Sequence, residues 1–209
     1  GAGVTEIPDG TFANCEKLTS FTVPAGVKTI SPSAFFLCYA LNEFHVDKAN
    51  TSFVVCDNII YTKDWSLVIF PLGKTTFEIP KDAKALPDGF FSTYPQIANV
   101  TVEEGNKFFD AVNGVLYTKD HTDILFFSDE VTSYEIPKEL PSQMTKFEFL
   151  SILHEAAGLE TITVAEGNEL FHAKFGVLYD ADWNLILFPK ARTVFRIPVE
   201  LTVIPNGAV

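Results

Sequence analysis

The sequence predicts a mainly β fold in which short repeats stack as a solenoid. Residues 27–46 repeat the pattern of residues 4–23, so that Phe12 matches Phe35 with a shift of 23 positions. A longer unit then recurs, because Tyr61, Tyr117 and Tyr179 follow one another after 56 and then 62 positions. Units of this size cannot bury an apolar face alone, so a fixed period indicates layers that share one core.

The first short unit, residues 4–26, ends in a predicted strand. Phe21 and Val23 alternate with Ser20 and Thr22, which is the spacing of a strand with one face on a core and the other in solvent. Pro24 ends the strand. The second unit carries the same elements, and we predict that Phe91 and Val209 fill the interior position of Phe35 in later layers.

Each longer unit adds a predicted hairpin. In the first copy its arms are residues 59–61 and 67–70, and residues 62–64 form the turn. Trp65 and Trp183 occupy the same hairpin position. Exposed, these two rings are the better anchors for a ligand; folded under the turn, they belong to the core.

Residues 142–158 are the one helical candidate, and they hold most of the six extra residues of the third copy. An apolar face at about helical spacing is predicted to meet the core: Met144, Phe147, Phe149, Leu150 and Leu153. Ser142 is the predicted N-cap, and Gly158 is predicted to end the helix.

No Gly-, Ser- or Pro-rich linker separates the copies, so we predict a single domain over residues 1–209. The repeats lie near 4–26, 27–82, 83–137 and 138–198, with a partial repeat at 199–209. Because both ends fall inside repeats, we interpret the chain as a fragment of a longer array.

Composition excludes several classes of function. The formal charge of −12 argues against nucleic acid as a partner, since phosphate binding requires clustered Lys and Arg. No apolar run of 18 residues is present, so no transmembrane segment is predicted. The opening residues do not resemble a signal peptide.

Three cysteines are present. Cys15 and Cys38 share a repeat position and are predicted to stack one layer apart, as free, buried apolar side chains. A disulfide between them stays open as the alternative. Cys56 has no counterpart, and no metal-ligand spacing accompanies the three residues.

No motif predicts catalytic residues, a metal site or a cofactor. Residues 72–75 resemble the end of a phosphate-binding loop but lack its first glycine, so a connection between strands is predicted. Asp180, Asp182 and Asn184 resemble the start of a calcium loop that lacks its glycine and its last glutamate, so a polar turn is predicted, with a weak surface ion site as the alternative. Asn50 and Asn99 begin glycosylation patterns that we expect to be unused.

The outward strand face is the candidate binding site. Its residues alternate with the predicted core positions, and stacking would align them as a polar, mildly acidic ribbon: Ser20, Thr22, Glu43, His45, Glu78, Asn99, Thr101, Glu135, Thr161, Thr163 and Arg196. The alternative is that these residues only face solvent.

The short unit resembles the BspA-like leucine-rich repeat family. The family pattern is carried in the second unit by Val27, Ile30, Ala34, Phe35, Cys38, Leu41, Phe44 and Val46. The resemblance implies a right-handed leucine-rich-repeat solenoid with β-hairpin insertions, a secreted or cell-surface location, and adhesion to host or matrix molecules. The resemblance implies no catalytic residues.

The sequence therefore predicts a non-catalytic binding module whose partner is an extracellular protein or glycan. A structural spacer array that presents another domain is the alternative, and a glycan-active enzyme is a more distant one.

Overall fold

The computed structural model describes residues 3–204. It divides into two compact units, residues 1–108 and residues 109–209. The position predicted for Val209 lies outside the described residues. Among those residues, no helix combines the length and apolar character that crossing a bilayer requires.

The first unit is mainly β. Its strands are β1 (Glu6–Ile7), β2 (Ser20–Val23), β3 (Thr29–Ile30), β4 (Glu43–Val46), β5 (Phe53–Cys56), β6 (Ile59–Thr62), β7 (Leu67–Ile69), β8 (Thr76–Ile79) and β9 (Asn99–Val102). The unit also contains a 3-10 helix (Pro32–Phe35) and the short helix α1 (Phe90–Thr93), which lie in turns of the repeats.

The second unit repeats the pattern and adds a longer helix. Its elements are β10 (Phe109–Val112), β11 (Val115–Thr118), β12 (Ile124–Phe127), β13 (Ser133–Ile136), α2 (Lys146–Glu155), β14 (Thr161–Val164), β15 (Phe171–Lys174), β16 (Val177–Asp180) and β17 (Leu185–Leu187).

Parallel two-stranded ladders join consecutive repeats, which confirms the predicted solenoid. β2 pairs with β4, β8 with β9 and β13 with β14, all in parallel. Phe21 lies opposite Phe44, so the 23-residue period becomes one layer of the stack. Phe12 also stacks on Phe35, with ring centroids 5.2 Å apart and planes 12° apart. The repeated apolar positions therefore build a shared core.

The predicted hairpins are three-stranded antiparallel sheets, β5–β6–β7, β10–β11–β12 and β15–β16–β17. The first strand of each sheet was not predicted. It joins the second through a two-residue turn with positive φ at both positions, such as Asn113 and Gly114 at 51° and 80°. This geometry matches the right-handed twist of the paired strands, and glycine or asparagine adopts it at low cost.

A recurring asparagine precedes each three-stranded sheet in the sequence and bonds to backbone groups of the preceding repeat. The Asn50 amide nitrogen donates to the carbonyl oxygens of Pro24 and Val27 at 2.8 and 2.9 Å, while its oxygen accepts from the amides of Ser52 and Phe53. Equivalent bonds are made by Asn106 and Asn168. Asn50 is buried and its nitrogen is engaged, which is consistent with an unused glycosylation pattern.

The structure has a helix within the predicted residues 142–158, but its N-cap and the orientation of Phe147 differ from the prediction. Helix α2 is capped by Thr145 and not by Ser142: the Thr145 hydroxyl accepts from the Glu148 amide, and the Glu148 carboxylate accepts from the Thr145 amide. Phe147 points away from the core and is 80% exposed. Gly158 follows the helix end, and its role is close packing, because a Cβ there would lie 1.9 Å from the Asp129 carbonyl oxygen.

Two further interior predictions require correction. Cys38 is buried, but Cys15 is exposed, and both thiols are free. The preceding repeat covers this position, as the bond from the Cys38 sulfur to the Phe12 carbonyl oxygen shows, and Cys15 lies in the first described repeat. Phe91 is half-buried, and its neighbour Phe90 enters the core, where it contacts the ring of Phe77.

Candidate functional site

The first ladder places four of the predicted binding residues in two cross-strand pairs. Ser20 lies opposite Glu43, and Thr22 lies opposite His45. All four side chains are exposed, while the intervening Phe44 is fully buried. The alternation of β2 and β4 therefore positions the two pairs on the solvent side, as predicted.

The second ladder in the same unit repeats the arrangement. Glu78 lies opposite Thr101 and both are exposed, whereas Asn99 is half-buried and lies opposite Thr76. Thr76 was missed by the sequence analysis, although it alternates with buried Phe77 in the same way as the residues that were chosen.

The ladder of the second unit carries the same chemistry. Glu135 lies opposite Thr163, and both are exposed. Thr161 is half-buried and lies opposite Ser133, an exposed residue that was also missed. Alternation with half-buried Tyr134 and buried Ile136 was the signal that could have identified Ser133.

Arg196 and the continuous ribbon require correction. Arg196 is exposed but lies outside any strand, and its guanidinium carbon lies 5.9 Å from the centre of the Phe175 ring. A parallel strand needs a partner, and among the described residues none pairs with residues 193–197. In the first unit, the ladders β2–β4 and β8–β9 also belong to separate sheets. The face is therefore divided into paired strands, which we call the polar ladders.

The polar ladders are acidic. Their exposed charged residues include Glu43, Glu78 and Glu135, and neither lysine nor arginine occurs in the described ladder strands. The His45 Nε2 atom lies 3.6 Å from the Glu43 carboxylate, with both side chains more than half exposed. Such an exposed contact contributes little to stability, so both groups are free to exchange it for a ligand.

The side chains of Trp65 and Trp183 are half-buried, so they are neither fully exposed ligand anchors nor fully buried core residues. Trp65 and Trp183 adopt positive φ at the turn, as does His121 in the equivalent position. The Trp183 ring stacks on His172 with centroids 4.7 Å apart and planes 9° apart. The Trp65 ring packs against Tyr61 at 5.5 Å. Each ring is held by its own hairpin while one part stays accessible.

The turn residues that resemble a calcium loop stabilise the turn itself, as predicted. The Asp180 carboxylate accepts from the backbone amides of Asp182 and Asn184, both at 2.9 Å. In the second copy, hydrogen bonds from Thr122 hold the pKa of Asp120 below its ordinary value. Within residues 3–204 no three His, Cys, Asp or Glu side chains converge as metal ligands.

A hydrogen bond between His121 and Asp110 anchors the second hairpin. The Nε2 atom of His121 lies 3.0 Å from the Asp110 carboxylate, and this hydrogen bond lowers the pKa of Asp110. The His121 ring also stacks on Tyr117 with centroids 4.6 Å apart. The contacts of His121 with Asp110 and Tyr117 therefore stabilise the hairpin.

Parallel ladders of this period define a repeat solenoid of the leucine-rich type. The family model for the BspA-type leucine-rich repeat region matches residues 5–133 in six copies, which is more than half of the chain. The chain therefore belongs to the BspA-type leucine-rich repeat family. No curated protein matches it in a sequence search.

Three solved structures are similar to the chain. The pneumococcal vaccine antigen PcpA matches with 23% identity and a TM-score of 0.43, over 90% of this chain and 44% of that chain. A leucine-rich repeat protein from Eubacterium ventriosum matches with 20% identity and a TM-score of 0.44, over 77% of this chain and 40% of that chain. A leucine-rich cell surface protein from Faecalibacterium prausnitzii matches with 23% identity and a TM-score of 0.36, over 95% of this chain and 54% of that chain. The chain thus spans about half the length, or less, of the structures it matches.

Proposed function

We propose that this chain is a non-catalytic binding module that contacts an extracellular protein or glycan through the polar ladders. The observation that carries the proposal is the pairing of exposed residues: Glu43 lies beside Ser20, and Glu78 beside Thr101, on strands whose inward side chains are buried. Within each ladder, the pairing of the two strands holds two rows of exposed side chains in one register. Such a pre-organised surface loses less entropy on binding.

The acidic character of the ladders favours a ligand with basic or hydroxyl-rich groups. The net charge of −12 supports association with a cationic surface at low and physiological salt. Family membership supports a repeat module rather than an enzyme, and the family resemblance supports a secreted or cell-surface location and a role in adhesion. We also propose that both units belong to one leucine-rich-repeat domain.

Binding to arrays of extracellular matrix proteins and glycans tests the proposal. The double variant Glu43→Lys with Thr101→Arg raises the net charge of the ladders of the first unit by three, and we expect it to weaken binding by at least about tenfold. The matched control, Glu16→Lys with Thr51→Arg, makes the same charge change at exposed positions outside the ladders.

The outcomes separate the alternatives. Equal affinity of the ladder variant and the control variant would show that the ladders are not part of the interaction surface. An absence of binding to every protein and glycan on the arrays would favour the structural spacer. Hydrolysis of an arrayed glycan would favour the enzyme.

A further inference from the structure

A cavity of about 510 Å³ opens on the first unit. Its floor is formed by Phe44, Ile69 and Phe70, which are almost fully buried. This volume lies within the roughly 300–1,000 Å³ typical of sites that bind small molecules or single side chains. None of the eleven predicted face residues lines it.

The inserted hairpin explains why this space exists. On one side of the 3-10 helix the layers close directly, because the amides of Phe12 and Asn14 donate to the carbonyl oxygens of Ala34 and Phe36 at 2.8 and 2.9 Å. On the other side, β5–β7 intervene before α1, and the cavity lies between the 3-10 helix and residues 93–96.

The mouth of the cavity carries two exposed aromatic side chains. Phe36 is 59% exposed and Tyr39 is 61% exposed, and both line the opening. Leu72 extends the apolar wall, and the adjoining Gly73 donates its amide to the Leu41 carbonyl oxygen, which fixes that wall. Exposed aromatic groups beside a preformed apolar cavity are typical of binding sites, because they bury a large area at a small cost in side-chain entropy.

Two polar groups in the lining are complementary to a specific kind of ligand. The Asp9 carboxylate accepts hydrogen bonds from the Ser31 and Ser33 hydroxyls, which lower the pKa of Asp9 and keep the carboxylate charged. The buried Gln96 Nε2 atom has no hydrogen-bond partner among the described residues. The first group is complementary to a cation, and the second can donate to a carbonyl oxygen. No lysine or arginine occurs among the described residues of the lining.

We propose that this cavity is a docking site for a peptide segment of a partner protein in which a bulky apolar side chain lies next to lysine or arginine. The apolar side chain fills the space above Phe44 and Phe70. The adjacent cation pairs with Asp9, and a backbone carbonyl of the segment accepts from Gln96. A peptide supplies all three groups within a few residues, whereas a lipid tail offers no cation to Asp9 and no acceptor to Gln96. None of the outward-facing ladder residues contributes to this site, and the inward-facing Phe44 is the one lining residue that the ladder strands of the first unit supply.

Selection of short random peptides displayed on phage against the 209-residue chain tests the proposal. We expect enriched peptides to hold Phe, Leu, Ile, Met or Trp within two positions of Lys or Arg. For the corresponding labelled synthetic peptides, fluorescence anisotropy should show a loss of about tenfold in affinity for Phe36→Ala with Tyr39→Ala. Asp9→Asn keeps the acceptor oxygen and removes the charge, so it should weaken binding about threefold and reduce its salt dependence.

The control is Phe147→Ala, which removes an equally large exposed ring on α2, outside the cavity, and should leave affinity unchanged. Enriched peptides without a basic residue, or peptides whose affinity is the same for the Phe36 and Tyr39 variant, would overturn the proposal. It would also be overturned if no peptide were enriched while palmitate bound the wild type and not the variant. Self-association that disappears in the variant on sedimentation would instead assign the cavity to a second copy of the chain.

Discussion

The side-chain amide nitrogen of Asn50 donates to the carbonyl oxygen of Val27, 23 residues earlier, over 2.9 Å. The same nitrogen reaches the Pro24 carbonyl oxygen, and the Asn50 oxygen accepts from two backbone amides. One buried side chain therefore satisfies four backbone groups at the point where the short repeats meet the first three-stranded sheet. Where a repeat ends, buried polar contacts of this residue type therefore add to apolar packing.

We expect Asn50→Ala to lower the free energy of unfolding by about 2–4 kcal/mol, because two carbonyl oxygens and two amides lose buried partners. Urea denaturation followed by circular dichroism measures the change. The control is Asn42→Ala, since Asn42 is exposed and its side-chain nitrogen donates to the carbonyl oxygen of Ala40, two residues earlier. It should change stability by less than about 0.5 kcal/mol. Equal losses in the two variants would contradict the role assigned to Asn50.

The equivalent hairpin tyrosines differ in how their hydroxyls are satisfied. The Tyr61 hydroxyl is buried without a hydrogen-bond partner in the described part of the chain, whereas those of Tyr117 and Tyr134 bond to each other. We expect Tyr61→Phe to leave stability unchanged or raise it by up to about 1 kcal/mol, and Tyr117→Phe to lower it by about 1 kcal/mol. Thermal unfolding of both variants measures the difference. A Tyr61→Phe variant less stable than Tyr117→Phe would refute it.

Alkaline pH should reveal the same buried hydroxyl. Burial raises the pKa of Tyr61 well above its ordinary value, so the unfolded chain loses this proton at a lower pH than the folded chain. The stability linked to Tyr61 is thus complete below about pH 10 and is lost as pH rises further. In urea denaturation, the free energy of unfolding of Tyr61→Phe relative to the wild type should rise between pH 10 and 11 and should be constant between pH 7 and 9. A constant difference across the whole range would contradict the assignment.

The stacked layers could be predicted because both periods are written in the sequence. A shift of 23 residues places Phe21 opposite Phe44, and strand alternation then determines that Thr22 faces outward. The additional strand of the second hairpin sheet also had a local signal, the Asn113–Gly114 pair, which is typical of a two-residue hairpin turn.

Other features depend on contacts that no local pattern contains. The cavity between residues 32–39 and 93–96 arises from the insertion between them, and its Gln96 and Asp9 are 87 positions apart in sequence (96 − 9). Phe147 lies at helical spacing from Leu150, but it is about 160° around the helix from buried Phe149, and it is 80% exposed. Spacing gives a period, and the residue at which the helix begins is set by its cap.

The cap of α2 provides a direct test of that last point. The Glu148 carboxylate accepts from the Thr145 amide and hydroxyl at 2.8 and 2.7 Å, and these bonds lower the pKa of Glu148. Its stabilising effect is therefore present above the ordinary pKa of glutamate and is lost as pH falls through the lowered value.

We expect Thr145→Ala to reduce the free energy of unfolding by about 1 kcal/mol, whereas Ser142→Ala, at the position predicted from sequence, should have an effect below about 0.5 kcal/mol. Glu148→Gln keeps an acceptor oxygen and removes the charge, so it should be less stable than the wild type at pH 7 in urea denaturation, and this deficit should shrink as pH falls through the pKa of the wild-type carboxylate. A larger loss for Ser142→Ala would show that Thr145 does not cap this helix, and a Glu148→Gln deficit that does not change as pH falls would show that the charge of Glu148 does not stabilise its start.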